Sequence, residues 1–222
     1  MTKQKEKMNQ PGLLLTFEGI DGSGKSTQAT MLFHRLLKEG YNALLVREPG
    51  GTSISEKIRD VLLDIKHQNM ADTTELLLYA ASRAQLVAEK IKPHIDDGVI
   101  VLCDRYTDSS LAYQGYGRGL NTEFIKNLNA LATQETIPDL TFVIDVDLAT
   151  AAKRASVDDP DRMESEKNAF KKRVQNGYHA IAEQEPARVV LIPGEEEVDA
   201  LHEKIWELTI PKLELLKTSK DQ

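Results

Sequence analysis

A glycine-rich loop between an apolar run and a helical pattern carries the strongest chemical signal in the sequence. Residues 13–27 read LLLTFEGIDGSGKST, in which G-x-x-x-x-G-K-S extends from Gly19 to Ser26. Glycines let such a loop wrap a phosphate with its N–H groups pointing inward, and the following helix adds its positive dipole end. In this pattern Lys25 reaches the β- and γ-phosphates, and the Ser26 hydroxyl ligates Mg²⁺. The loop therefore predicts binding of a nucleoside triphosphate.

Charged residues follow three further strand-like runs. Asp104 and Arg105 follow the run 99–103, and Glu48 lies just beyond the run 42–46. Ligands of an open parallel sheet bind beyond the carboxyl ends of its strands, where an acid can hold Mg²⁺ and an arginine can bridge phosphates. Asp145 and Asp147 end another run and compete with Asp104 for the metal role. A strand-end ion pair without a ligand is the structural alternative.

Two pairs of side chains stand at i, i+4 spacing on predicted helices. Tyr79 and Arg83 share one helix face, and Ser110 and Gln114 share another. A planar base can stack on the Tyr79 ring while the three polar side chains read its edge. Taken singly, each pair favours a structural role. The five histidines show no metal-ligand spacing.

Strand-like and helical patterns alternate along the chain, which predicts the α/β class. We expect a P-loop NTPase fold, with a five-stranded parallel sheet and helices on both faces. Residues 1–10 are polar and predict a disordered tail, and residues 11–222 predict a single domain. The polar stretch at about 154–166 predicts a short mobile lid.

Composition excludes several classes of function. The net charge of −7 argues against general binding of nucleic acid or of membrane surfaces. The apolar runs are too short to span a bilayer, and residues 1–10 lack the apolar region of a signal peptide. A single cysteine excludes an internal disulfide and suits a reducing compartment, so we expect a cytoplasmic protein.

From about residue 13 to 215 the chain resembles the thymidylate kinases, a family of P-loop nucleoside monophosphate kinases. The resemblance rests on FEGIDGSGKSTQ (17–28), REPGGT (47–52), YAASRAQ (79–85), DRYTDSSLAYQGYGRG (104–119) and DRME (161–164). It implies transfer of the γ-phosphate of ATP to dTMP, giving dTDP. It also implies a requirement for Mg²⁺ and a homodimer.

The resemblance also implies roles for individual residues. ATP would be held by Gly19, Ile20, Asp21, Gly22, Ser23, Gly24, Lys25, Ser26 and Thr27, with Arg154 packed on adenine. dTMP would be held by Asp21, Glu48, Pro49, Arg59, Tyr79, Arg83, Arg105, Ser110 and Gln114. Ser26 and Asp104 would hold the metal. Lys25, Asp104, Arg105 and Arg162 would serve catalysis, Arg162 as the lid arginine on the transferring phosphate.

The chain departs from the family pattern at three places. Tyr79 stands where the family usually has Phe, so its hydroxyl needs a partner. Gly22 stands where some members carry a P-loop arginine, and Asp158, Asp159 and Pro160 stand where related lids often supply arginine. Arg162 then remains the candidate, with Lys153 and Arg154 nearby.

Two other functions stay open at this point. A kinase for another nucleotide or for a nucleoside would use the same loop. A nucleotide-dependent switch would also use it, but would have no reason to carry base-reading and phosphate-clamping groups for a second nucleotide.

Overall fold

A five-stranded parallel sheet forms the centre of the computed structural model, which describes residues 12–155 and 161–218. Its strands are β1 (Leu14–Glu18), β2 (Ala43–Arg47), β3 (Ile100–Asp104), β4 (Leu140–Asp145) and β5 (Val189–Pro193). The strand order is β2-β3-β1-β4-β5, and every neighbouring pair is parallel. This confirms the predicted α/β class and the five-stranded sheet. The predicted tail 1–10 and residues 156–160 of the predicted lid lie outside the described residues.

Helices connect the strands on both faces of the sheet. They are α1 (Lys25–Lys38), α2 (Ser53–Leu63), α3 (Asp72–Leu86), α4 (Lys92–Asp96), α5 (Thr107–Ser110), α6 (Thr122–Thr133), α7 (Leu148–Arg154), α8 (Asn168–Gln184) and α9 (Val198–Thr218). A π-helical turn, Val87–Ile91, joins α3 to α4, and a longer π segment, Leu111–Gly117, continues α5. A 3₁₀ turn, Ile65–His67, follows α2.

The alternation of side chains along β1 explains why its sequence is apolar throughout. Leu15 and Phe17 face a core that also contains residues of α1 and α9, whereas Leu14 faces a core built with the end of α3 and its π turn. A strand covered on both faces reads as a continuous apolar run rather than an alternating one.

The sheet register brings the predicted site residues together. Phe17 of β1 pairs with Asp104 of β3, and Asp104 pairs with Arg47 of β2. The loops that leave these three strands therefore open at one edge of the sheet. In the described ranges no helix has the length and the apolar character needed to cross a lipid bilayer.

Candidate active site

The loop between β1 and α1 forms one wall of an open cleft of about 450 Å³, which we call the P-loop cleft. Residues 21–28 of the loop and of α1 line it, together with Arg154 at the end of α7. The first turn of a helix has N–H groups without intrahelical partners, and here α1 begins at Lys25, directly on the cleft. Arg154 donates from Nη1 to the carbonyl oxygen of Gly194 at 2.7 Å. The cleft can therefore hold a polyphosphate, with a guanidinium at its outer side.

Gly19 and Ile20, at the start of the loop, are buried behind the residues that line the P-loop cleft. Gly19 has a φ of +136°. Gly22 has a φ of +81°, and a Cβ built there would lie 2.1 Å from the carbonyl oxygen of Ala151. An arginine at this position is therefore incompatible with the loop as it is folded.

Ser26, which lines the P-loop cleft, contacts Asp104 at the end of β3. The Ser26 hydroxyl donates to Oδ2 of Asp104 at 2.5 Å, while the buried Oδ1 has no hydrogen bond to any described residue. The two competing carboxylates are engaged elsewhere. Asp145 accepts from Gln175 and His179, and Asp147 caps the N-terminus of α7. Asp104 therefore has a free oxygen beside a hydroxyl, and the two oxygens are a donor set that would suit Mg²⁺.

A second, smaller cavity of about 130 Å³, which we call the inner pocket, adjoins the P-loop cleft. Eight of the nine side chains expected around dTMP line it: Asp21, Glu48, Pro49, Arg59, Tyr79, Arg105, Ser110 and Gln114. Ser110 ends α5 and Gln114 lies in the π segment that continues it, so the helix predicted after Tyr106 is present with a π-helical second half, and both side chains reach the pocket. Arg59 donates to the carbonyl oxygen of Pro49 at 2.9 Å, and burial and Arg47 lower its pKa.

Asp21 joins the two cavities, since it lines both of them. Its carboxylate accepts from Lys25 Nζ at 3.1 Å and from Arg105 Nη2 at 2.5 Å. Burial would raise the pKa of Asp21, but the charges of Arg105 and Lys25 outweigh it and lower the pKa well below its usual range. Arg105 has a φ of +70°, a strained value for a non-glycine residue that is typical of functional sites. The arrangement places two cations on one carboxylate, on the boundary between the two cavities.

Arg83 does not line the inner pocket. It is 1% exposed and donates to four acceptors, Glu48 (2.7 Å), Ser110 (2.9 Å), Asn129 (2.7 Å) and the carbonyl of Tyr106 (2.9 Å). Its guanidinium therefore lies behind Glu48 and Ser110 of the pocket wall, and its expected contact with the base stays a prediction. Oε1 of Glu48 is buried without a hydrogen bond to a described residue, and burial raises the pKa of Glu48 to about 7 despite Arg83.

Arg162 is also placed differently from the expectation. It is 5% exposed and donates to the Leu62 carbonyl at 2.7 Å and to Oε2 of Glu75 at 2.6 Å. A guanidinium held in a buried ion pair with α3 is not directed at the P-loop. Through Arg162 the described part of the lid is anchored to α2 and α3, while Arg154 and Glu164 of the lid line the P-loop cleft.

Three glutamates at the site were not predicted. Glu18 ends β1, is fully buried and accepts from Ser109, Tyr178 and the backbone of Tyr106. Glu75 lies one helical turn before Tyr79, and Glu164 of the lid lines both cavities. The sequence offered a signal for two of them. Glu18 is a charged residue at the end of an apolar run, and Glu75 precedes Tyr79 by four residues and so shares its helix face.

The parallel sheet, the P-loop cleft and the adjoining inner pocket define a P-loop kinase of the nucleoside monophosphate class. The thymidylate kinase family model matches residues 17–205. A thymidylate kinase of Thermoanaerobacter sp. (strain X514) is 50% identical over 194 residues, 87% of this chain and 95% of that one. The thymidylate kinase of Exiguobacterium sp. (strain ATCC BAA-1283 / AT1b) is 42% identical over 204 residues, which cover 91% and 96% of the two chains.

Solved structures agree with the sequence comparison. The crystal structure of thymidylate kinase from Ehrlichia chaffeensis matches with a TM-score of 0.73 at 37% identity, covering 89% of this chain and 99% of that chain. The chain belongs to the thymidylate kinase family.

Proposed function

We propose that this chain phosphorylates dTMP to dTDP with ATP as donor and Mg²⁺ as cofactor. The observation that carries the proposal is the shared wall at Asp21, where Lys25 of the P-loop cleft and Arg105 of the inner pocket bind one carboxylate. A donor phosphate on Lys25 and an acceptor phosphate on Arg105 would approach each other at this boundary. Reactant proximity of this kind supplies a large part of the catalysis of phosphoryl transfer.

ATP would occupy the P-loop cleft. Its phosphates would accept from the N–H groups of residues 22–27, and Lys25 would neutralise the γ-phosphate. Arg154 lies at the outer side of the cleft, where it would pack on adenine. Ser26 and Asp104 would hold Mg²⁺, and the unpaired Oδ1 of Asp104 supports this assignment. Bound there, Mg²⁺ would neutralise charge on the transferred phosphoryl group.

dTMP would occupy the inner pocket. Arg59 and Arg105 are its cationic residues and would bind the acceptor phosphate. The base would stack on Tyr79, with Ser110 and Gln114 at its edge. The Tyr79 hydroxyl has no hydrogen-bond partner within the described ranges and Tyr79 lines the pocket, so the partner that this group needs would come from the bound nucleotide or water.

Transfer needs no general base, because the dTMP phosphate oxygen is already ionised. This oxygen forms a bond to the γ-phosphorus of ATP while the bond from that phosphorus to the bridging oxygen breaks, and ADP leaves with the electron pair. The chain's own contribution is positioning and neutralisation of charge by Lys25 and Arg105. We assign Arg162 the task of anchoring the lid on Glu75.

We further propose a cytoplasmic homodimer. Large apolar side chains are exposed on three helices that pack side by side, Ile54 and Val61 on α2, Leu77 on α3, and Phe124 and Leu131 on α6. An exposed apolar surface of this kind supports association with a second copy. Light scattering of the Leu77→Glu and Phe124→Glu variants tests this proposal: we expect a dimer for the wild type and monomers for the variants.

A coupled assay of ADP release across a panel of monophosphates tests the activity. We expect dTMP to be the best acceptor, dUMP to be about 10- to 200-fold poorer for lack of a methyl group, and AMP and GMP to be nearly inert. Equal activity with AMP or GMP would exclude the thymidylate assignment. ADP release that no acceptor accelerates would instead indicate a nucleotide-dependent switch.

A further inference from the structure

The carboxylate of Glu75 lies beside the inner pocket and is 1% exposed. Its Oε1 accepts from Gln114 Nε2 at 2.9 Å and from Arg118 Nε at 3.1 Å. Its Oε2 accepts from Arg118 Nη2 at 2.9 Å and from Arg162 Nη1 at 2.6 Å. One buried carboxylate thus receives four hydrogen bonds from three side chains, and only Gln114 among these donors lines the inner pocket.

This environment makes Glu75 an obligatory acceptor. Guanidinium groups only donate hydrogen bonds and stay charged, so the two arginines occupy both oxygens of an ionised carboxylate. Burial alone would raise the pKa of Glu75, but the hydrogen bonds of Arg118 and Gln114 outweigh it and lower the pKa. An amide facing such a carboxylate must present its NH₂ group, because its oxygen would be repelled.

The orientation of the Gln114 amide follows from this contact. Nε2 is held by Glu75 and Gln114 lines the inner pocket, so the amide oxygen, which has no donor among the described residues, is the acceptor that Gln114 has available for a ligand there. The neighbouring hydroxyl of Ser110 accepts from Arg83 Nη1 at 2.9 Å, which leaves its hydrogen available to the pocket. The pocket wall therefore presents an acceptor next to a donor.

We propose that Glu75 is a positioning residue that sets base specificity by fixing the Gln114 amide with its oxygen toward the inner pocket. A pyrimidine with an N–H at ring position 3 next to a carbonyl, as in thymine or uracil, matches the acceptor and donor of this wall. Cytosine has an acceptor at position 3 and faces the Gln114 oxygen with a lone pair. The proposal rests on the proposed function, since it concerns the acceptor nucleotide of that reaction.

Replacement of Glu75 by glutamine tests the proposal. An amide at position 75 can donate as well as accept, so the Gln114 amide is free to rotate and to donate to position 3 of cytosine. For the wild type we expect kcat/KM for dTMP to exceed that for dCMP by roughly 10³-fold or more. In Glu75→Gln we expect this ratio to fall at least about tenfold, because the flipped amide satisfies the alternative base.

Two further variants separate positioning from a general structural effect. Glu166→Gln removes another carboxylate that binds Arg118 without touching Gln114, and we expect it to leave the dTMP/dCMP ratio unchanged. In a Gln114→Leu background, Glu75→Gln should no longer alter the ratio, since the amide through which it acts is gone. An unchanged ratio in Glu75→Gln, or an equal change in the Gln114→Leu background, would overturn the proposal.

A wild-type measurement keeps the proposal testable if Glu75→Gln does not fold. N3-methyl-dTMP lacks the N–H at position 3, and we expect its kcat/KM to be at least about 100-fold below that of dTMP. Equal use of the two nucleotides would overturn the proposal while leaving the dTMP kinase activity established. Absence of dTMP phosphorylation by the wild type would overturn both.

Discussion

Nε of Arg83 donates to Oε2 of Glu48 at 2.7 Å, and the side chains are 1% and 3% exposed. This buried ion pair joins α3 to the loop after β2, directly behind the inner pocket. Glu48 reaches the pocket and Arg83 does not. The arginine that the motif assigns to base recognition therefore supports the pocket wall in this structure.

Arg83→Ala should destabilise the fold as well as weaken dTMP binding. At pH 8, where Glu48 is ionised, removing the guanidinium leaves the buried Glu48 carboxylate, the Asn129 oxygen and the Tyr106 carbonyl without their donor, at a cost of about 3–5 kcal/mol in the free energy of unfolding. Urea denaturation of the free protein measures this effect. Lys204→Ala, which breaks an exposed ion pair with Glu196, is the control and should cost below about 1 kcal/mol. A loss of that small size in Arg83→Ala would mean that the ion pair does not support the wall.

Glu48 should make stability decrease with rising pH. Its pKa is about 7 in the folded protein against 4.5 for the ordinary carboxyl, so between these values the folded state binds the extra proton. The stabilisation is complete below pH 4.5 and is lost as the pH rises through 7. Between pH 5 and pH 8 we expect the wild type to lose up to about 3 kcal/mol relative to Glu48→Gln.

Denaturant unfolding of both proteins at several pH values measures this difference. Glu56→Gln is a suitable control, because a hydrogen bond from the Gly51 backbone lowers the pKa of Glu56, and its contribution has the opposite sign. Parallel pH curves for the wild type and Glu48→Gln would show that Glu48 has an ordinary pKa.

Lys25→Ala should reduce turnover by roughly 10²-fold or more, because Lys25 neutralises charge that develops on the transferred phosphate. Binding of dTMP should change little, since Arg105 keeps its contact with Asp21. Steady-state kinetics and isothermal titration with dTMP separate the two effects. Lys38→Ala, an exposed lysine at the other end of α1, should behave as the wild type. Near-normal turnover of folded Lys25→Ala would contradict the catalytic role of the P-loop.

Asp104→Asn should raise the Mg²⁺ concentration needed for half-maximal activity by roughly 10- to 100-fold. Asp145→Asn is the matched control. Asp145 ends β4, which β1 separates from β3 in the sheet, and its carboxylate already accepts from Gln175 and His179. We expect that variant to titrate with Mg²⁺ like the wild type. The reverse outcome would move the metal site to the end of β4.

The sheet, the P-loop and most of the wall of the inner pocket could be predicted from the order of the residues alone. Apolar runs separated by helical patterns predict parallel strands, and the edge at which parallel strands end is fixed by their direction. Residues that follow β1, β2 and β3 are therefore expected to meet, as Asp21, Glu48 and Arg105 do in the inner pocket. The metal carboxylate, by contrast, stayed undecided between Asp104 and Asp145, since both end a strand.

The pairing of the polar side chains, in contrast, depends on how the helices pack together. Arg83 and Arg162 belong to motifs that indicate ligand contact, yet each binds a buried glutamate from a distant segment. A buried charge must find its counter-charge, and that partner depends on which helices pack together rather than on local spacing. The same holds for Glu75, whose role in the site was not predicted from the sequence. It lies beside Gln114 because α3 packs against the π segment.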